Sequence, residues 1–346
     1  MSEPHPEPDP RISHAPPRLA YVLTSYGDGE QLLRLVRTLR RGDPRAEVVV
    51  QHDETHHPLD RAPLEALGVH VLLSPETIGW GDITLERARW RLFDWVLTNL
   101  DVDWVMLLSE QDYPTAPFAV LHARLTAATA AGDNAVIEAW PIAEVPDPAI
   151  RAEAEQRYRF QYRALPDIGF ERRLPEPLAK VFRWVRGVAI HRLREHRLPV
   201  RLYAPAPAVG APARIGFLAL RSPFTTDAPC WFDSCWFAID RRAMQAVVDR
   251  TTNDPALVRY FERTMIPVES ATATIIGNDP ALHLERASLH TIRWSDTTSG
   301  RPDVFTLDDV PMLTAAGLPF ARKFGPDPAV FVALDEHVLQ HAEEAS

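Results

Sequence analysis

Two short stretches hold the residue types that chemistry needs. In Pro267-Val268-Glu269-Ser270-Ala271-Thr272-Ala273-Thr274, one carboxylate precedes a run of small and apolar residues. Such a carboxylate serves either as an anion at a helix start, favoured by the macrodipole by under about 1 kcal/mol, or as a general base aimed into a cleft. Spacing alone does not choose. In Phe320-Ala321-Arg322-Lys323-Phe324, two adjacent cations lie between phenylalanines. Of the chain's 37 basic residues only Lys180 and Lys323 are lysines, so a lysine here stands out against an arginine background. Lysine offers a compact, strongly hydrated ammonium on a flexible stem that arginine does not reproduce. A cation pair with aromatic flanks suits the grip on a diphosphate; a solvated basic pair is the bland alternative.

Other carboxylates and histidines compete for attention. Asp101-Val102-Asp103 has the Asp-x-Asp form of a divalent-metal site, but an apolar strand follows it, which puts it at the wrong end of a sheet. Glu110-Gln111-Asp112 follows a strand and could hold a metal through hard oxygen ligands, or Asp112 could fix its loop through backbone hydrogen bonds. His52, Asp53, His56 and His57 cluster without meeting any fixed ligand spacing, so solvated histidines are the default.

The elements that must position these groups can be read from periodicity. Leu19-Ala20-Tyr21-Val22-Leu23-Thr24 reads as a strand and Ser25-Tyr26-Gly27-Asp28-Gly29 as a loop. Leu32, Leu33, Leu35, Val36 and Leu39 mark a helix that Gly42-Asp43-Pro44 stops. Val48–Val50 is a second strand running into Asp53, Gly68–Leu73 a third and Trp104–Leu108 a fourth, with a helix over Thr84–Leu97. Strands alternating with helices predict an α/β protein with a mostly parallel sheet covered on both faces. Ligands then gather at the carboxyl ends of the strands, where Asp53 and Glu110–Asp112 lie. No Gly-x-Gly-x-x-Gly or P-loop is present, so any diphosphate must be held another way. Residues 157–163, alternating arginine with aromatics, could bind a polyanion or sugar rings but read more readily as a solvated helix face, and a basic helix is expected near 181–197.

Composition narrows the classes. With 46% hydrophobic residues a sizeable core can form, and a net charge of −10 argues against a nucleic-acid binder. Two cysteines, Cys230 and Cys235, are too few for a disulfide framework or a structural zinc site. No apolar run is long enough to span a membrane, and residues 1–17 are Pro-rich and acidic. The expectation is a cytoplasmic protein with a disordered tail over 1–17 and one domain over 18–346.

Taken in order, Ala20-Tyr21-Val22-Leu23, His52-Asp53, Trp80-Gly81, Leu107–Pro114, Pro267-Val268-Glu269, Ile292-Arg293-Trp294 and the 320–324 pentad resemble the core-2/I-branching glycosyltransferases, a family that includes β-1,6-N-acetylglucosaminyltransferases and peptide O-xylosyltransferases. The resemblance spans about Leu19 to His341. It implies a GT-A fold, with residues 18–135 as a UDP-binding half and 136–346 as an acceptor-binding and catalytic half. It also implies inverting transfer of N-acetylglucosamine or xylose from a UDP-sugar to a glycan, peptide or small-molecule hydroxyl, with no metal cofactor. Carried over by position, Glu269 is the general base. Thr24, Asp53 and Trp80 lie on the UDP side, and Lys323 with Arg301, Arg322 or Arg293 holds the diphosphate. Asp112, Arg293 and Trp294 lie on the acceptor side. Two positions depart from the family pattern: Val268 stands where an aspartate usually precedes the base, and Asp233 where a small residue is usual. A metal-dependent transferase using Glu110 and Asp112, or a non-catalytic sugar-nucleotide or glycan-binding protein, are the alternatives.

Overall fold

The computed structural model describes residues 16–27, 29–165, 175, 177–178, 180–181, 199–203, 212–295 and 301–340. The tail expected over 1–17 and the basic helix expected near 181–197 lie almost wholly outside the described residues. The central sheet takes β1 (Leu19–Ser25), β2 (Glu47–His52), β3 (His70–Leu73), β4 (Trp104–Ser109), β6 (Ala135–Pro141), β10 (Trp231–Asp240) and β11 (Leu284–Glu285), in the order β11-β6-β10-β4-β1-β2-β3. All neighbours are parallel except β10, which runs against both β4 and β6. Segments before and after residue 135 thus build one sheet.

Every residue of β1 is buried, because both faces of the sheet are covered. Leu19, Tyr21 and Leu23 pack with Leu35, Val36 and Leu39 of α1 (Glu30–Gly42), whereas Ala20 and Val22 pack with Leu92 and Phe93 of α3 (Thr84–Asn99). This alternation converts a continuous apolar run into two cores. The third strand begins two residues later than its apolar pattern suggests. Gly68, at φ +71°, closes the short helix α2 (Ala62–Glu65) through its N–H to Glu65 O, so the chain straightens only from His70.

Two smaller sheets flank the central one. In the first, β5 (Asp112–Pro114) pairs with β13 (Phe320–Arg322), which also pairs with β12 (His290–Ile292). The register sets Arg322 opposite Asp112. Phe320 and Phe324 are buried in the main core, each ring contributing about 1.5–3 kcal/mol, so the pentad is clamped at both ends. The second small sheet joins β7 (Phe160–Ala164), β9 (Arg214–Leu218) and β8 (Val200–Tyr203).

Residues 157–163 are not one solvated helix face. Helix α5 (Pro148–Tyr158) ends there and β7 follows, with Tyr158, Phe160 and Tyr162 all buried. Aromatics at every second position are a strand signature, and that period outweighed the arginines between them.

Candidate functional site

The C-terminal ends of β1, β2 and β4 converge on one edge, and the start of the antiparallel β10 reaches the same edge. There Glu110 accepts hydrogen bonds from the N–H groups of Tyr26 (3.2 Å) and Gly27 (3.0 Å), tying the loop after β1 to the loop after β4. A Cβ at residue 27 would lie about 3.0 Å from Glu110 Oε1, so a side chain there would require the carboxylate to shift. Thr24, 8% exposed, lends its carbonyl to the Glu110 N–H. At the opposite end of β4, Asp101 and Asp103 both pair with Arg18, away from this edge.

Asp53, just beyond β2, is buried and its two oxygens are engaged. Oδ1 accepts from Thr55 N (2.9 Å) and Oγ1 (2.6 Å), and Oδ2 from Ile78 N (2.7 Å). Burial opposes its charge, but the bonds from Thr55 and Ile78 and the nearby His56 outweigh that and hold the carboxyl below its ordinary range. Asp53 therefore staples the loop leading to Trp80. His52 is occupied as well, its ring nitrogens 2.7 Å from Ser25 Oγ and 2.7 Å from His57 O. A nitrogen facing a carbonyl must carry a proton, so Nε2 donates to His57 O.

Arg322 is matched by the fold itself. Its Nη1 lies 2.9 Å from Asp112 Oδ1 and 3.0 Å from Ser109 Oγ, and its guanidinium sits 4.1 Å over the Trp236 ring. Asp112 also accepts the Ser109 N–H. Burial pushes the Asp112 carboxyl up, and Arg322 and the Ser109 bonds pull it back. Breaking a buried pair by deleting one partner typically costs about 3–5 kcal/mol. Asp112→Ala is therefore expected to lower unfolding stability by about that amount in a urea titration. A loss below about 1 kcal/mol would mean that Arg322 finds another partner.

Lys323 differs from its neighbour. Its backbone is fixed by Phe305 N to Lys323 O (2.9 Å), and Phe324 N bonds Gln111 O (3.0 Å). Among the described residues no carboxylate pairs with its ammonium. Burial, then the charges of Arg301 and Arg322, press its pKa below the ordinary lysine value. Arg301 is exposed and close enough for both Lys323 and Tyr26 to feel its charge. The segment behind is braced by Arg293, which pairs with Asp303 (2.9 Å) and with Asp309, while Asp303 O takes the Lys323 N–H at 3.4 Å. Trp294, next to Arg293, leaves 48% of its surface open. His290 is buried and stacks on Phe320; burial, then Arg322, keep it neutral.

Glu269 ends a tight 3-10 turn, Pro267–Glu269, and the helix Ala271–Gly277 begins only after Ser270. Ile266, which enters the turn, sits at φ +51°, and its N–H bonds Gly81 O at 2.9 Å. That bond brings the Trp80-Gly81 loop against the turn; Trp80, 36% exposed, stacks on Tyr203 with ring centroids 6.4 Å apart. A left-handed β-branched residue costs roughly 1–3 kcal/mol and persists where surrounding structure enforces it, commonly at functional sites. Among the described residues the other non-glycine residue with positive φ is Cys235 (φ +71°), at the irregularity in β10 between Asp233 and Phe237. Both strained positions border Glu269 or Trp236.

The side chain of Glu269 is 24% exposed and pairs with Arg157. Burial raises its carboxyl above the ordinary range, with Arg157 opposing and Glu153 adding to the rise. Behind it lie Glu86, Arg89 and Asp233, all fully buried. Arg89 Nη1 reaches Val268 O at 3.2 Å and Glu86 at 3.5 Å, and its guanidinium faces Trp236 at 5.5 Å. Burial drives the Asp233 carboxyl far above its ordinary range, against the Cys235 N–H bond that it accepts. Trp236 is thus packed between Arg322, which precedes Lys323, and Arg89, which bonds the residue before Glu269.

Residue types alone indicate Glu269, Lys323 and Arg322, and the family pattern marks Asp233, but nothing local indicates Arg157, Glu86 and Arg89 as the charges around Glu269. Arg157 falls in the stretch expected to be a solvated face, yet its side chain is only 13% exposed. Glu86 and Arg89 carried only a weak signal, opposite charges three apart on a helix. Two surface hollows lie elsewhere, one beside Arg242, Asp249 and Asp279 and one beside Arg34, Arg37 and Asp335; neither contains a strained or fully buried charged residue. Among the described residues no group of three or more His, Cys, Asp or Glu is placed to hold a metal ion, and no helix is long and apolar enough to cross a membrane.

No family model matches the chain, and no curated protein matches it. Solved structures that resemble it include a CMP:2-keto-3-deoxy-manno-octonic acid synthetase complexed with CTP. That likeness is 12% identical, covers 70% of this chain and 84% of that one, and has a TM-score of 0.29. Another is the 4-diphosphocytidyl-2C-methyl-D-erythritol synthase from Anaerococcus prevotii, 12% identical over 87% of this chain and 96% of that one, with a TM-score of 0.31. Likeness at this level carries no argument about activity, which rests on the site.

Proposed function

We propose that this chain is an inverting, metal-independent glycosyltransferase that moves a sugar, N-acetylglucosamine or xylose, from a UDP-sugar to an acceptor hydroxyl. The observation that carries this reading is the Lys323 ammonium. It is held by backbone clamps at the carboxyl edge of the sheet, beside Arg301 and Arg322, with no carboxylate of its own among the described residues. An ammonium with no carboxylate partner among the described residues, set beside two further cations, suits an anionic ligand, and charge-assisted bonds from lysine and arginine to phosphate are among the strongest available.

In this reading Lys323 and Arg301 meet the diphosphate, while Arg322, already matched by Asp112, shapes the strand that presents Lys323. Arg293 braces the Asp303 segment, and the open face of Trp294 packs on a sugar ring of the acceptor. Asp53, Thr24 and Trp80 frame the uridine side, with Asp53 acting through the loop it staples. The acceptor O–H gives its proton to Glu269 as the oxygen attacks the anomeric carbon. The bond from that carbon to the phosphate oxygen breaks on the opposite face, and UDP leaves with the electron pair. Fixed cations stabilise the charge growing on UDP without reorganising, commonly the largest catalytic term.

A thermal-shift screen of UDP-sugars in EDTA tests the donor assignment. A ligand that binds only the folded chain adds about 2.7 kcal/mol at a hundred times its Kd. The expected result is a raised melting temperature with UDP-N-acetylglucosamine or UDP-xylose and none with CTP. A shift with CTP alone would transfer the site to another nucleotide chemistry.

A further inference from the structure

Resting on the general-base reading of Glu269, we infer that Arg157 is the positioning residue that holds and aims this carboxylate. Arg157 lies in the last turn of α5, whose start is set by Pro148 and by Asp147, which accepts the N–H groups of Ala149 (2.7 Å) and Ile150 (3.2 Å). The far end of the helix is latched to the Glu269 turn. Met265 N reaches Arg157 O at 3.4 Å, Tyr158 donates its hydroxyl to Ile266 O at 2.8 Å, and Tyr260 donates to Tyr158 O at 2.8 Å. Two hydrogen bonds therefore tie the helix end directly to the turn.

The guanidinium is held by two carboxylates. Nη1 meets Glu269 Oε2 and Nη2 meets Glu153 Oε1 at 2.7 Å, on a side chain only 13% exposed. A planar fork fixed at two points has little freedom left. It engages one oxygen of Glu269, and among the described residues Oε1 has no hydrogen-bond partner. One oxygen anchored and one open is the geometry of a base with a set direction.

The same contact governs charge. Among the described residues, Glu153 and Arg157 on α5, Tyr158 beside them, Glu86 and Arg89 on α3, and Asp233 and Cys235 on β10 are the titratable or charged groups around Glu269. Burial and Glu153 favour the protonated acid, which cannot accept a proton; Arg157 and, less strongly, Arg89 favour the carboxylate. Arg157 is the cation in direct contact, so the pH at which the base loses its proton depends on it.

Two readouts on the full chain test this. The first is a carbon-13 NMR titration of the Glu269 carboxyl, assigned with Glu269→Gln. The second is the pH profile of UDP release from UDP-N-acetylglucosamine or UDP-xylose. Arg157→Met is expected to move the Glu269 titration and the acid limb upward by about one pH unit or more, with UDP-induced thermal shift retained. Arg157→Lys restores most of the limb. Glu153→Gln, which keeps the cation and removes a negative neighbour, moves it downward. A titration unmoved in Arg157→Met, beside an inactive Glu269→Gln, would overturn the role of Arg157 alone. A Glu269→Gln as active as the parent, with its UDP-induced thermal shift intact, would remove the base and this role with it, leaving donor binding untouched.

Discussion

Replacing Glu269 with glutamine is expected to cut turnover by about 10²–10⁴-fold, the usual worth of a general base, while UDP still binds. The amide keeps the size of the carboxylate, so the turn Pro267–Glu269 and the left-handed Ile266 that introduces it have no reason to move. Only the capacity to take a proton is lost. The Arg157 partner then faces a neutral group, but its second carboxylate, Glu153, remains in place. A rate assay of UDP release, run beside a UDP thermal shift, separates the two effects. Unchanged turnover would show that Glu269 serves only as the ion-pair partner of Arg157.

The second large effect is expected at Lys323. Removing the ammonium in Lys323→Ala forfeits a charge-assisted bond of about 1.5–3 kcal/mol, which corresponds to roughly 10- to 160-fold weaker UDP binding at about 1.36 kcal/mol per tenfold. Lys323→Arg keeps the charge but not the compact head, and recovers only part of the loss. The unliganded variant should melt no lower than the parent, because burial and the like charges of Arg301 and Arg322 already work against the ammonium. That separates lost binding from lost fold. Calorimetric titration with UDP reads it directly; parental affinity in both variants would reduce Lys323 to a surface charge.

The central strands were legible because β1, β2 and β4 are short apolar runs bounded by loop residues, and burial on both faces leaves that simple trace. The helix stops were legible at Gly42 and Asp43. Less visible was whatever depends on distant partners. Asp112 and Arg322 are 210 residues apart and Arg157 and Glu269 are 112 apart, and no local period announces either pair. The start of β3 depended on the left-handed turn at Gly68, and β5 and β13 are three-residue strands that exist because each pairs with the other. At 157–163 the period of two was present, but its arginines drew the reading toward a solvated helix. Within the candidate site, residue types indicated Glu269 and Lys323. The buried set of Glu86, Arg89 and Asp233 depends on tertiary packing that brings α3 and β10 to one turn.

The central claim is transfer from a UDP-sugar with protein cations in place of a metal at the diphosphate. Release of UDP from UDP-N-acetylglucosamine or UDP-xylose, measured over a panel of hydroxyl acceptors in EDTA and again with added manganese, tests it most directly. The account predicts equal release under both conditions, abolished by Glu269→Gln and weakened by Lys323→Ala. Release that stops in EDTA and returns with manganese would contradict it.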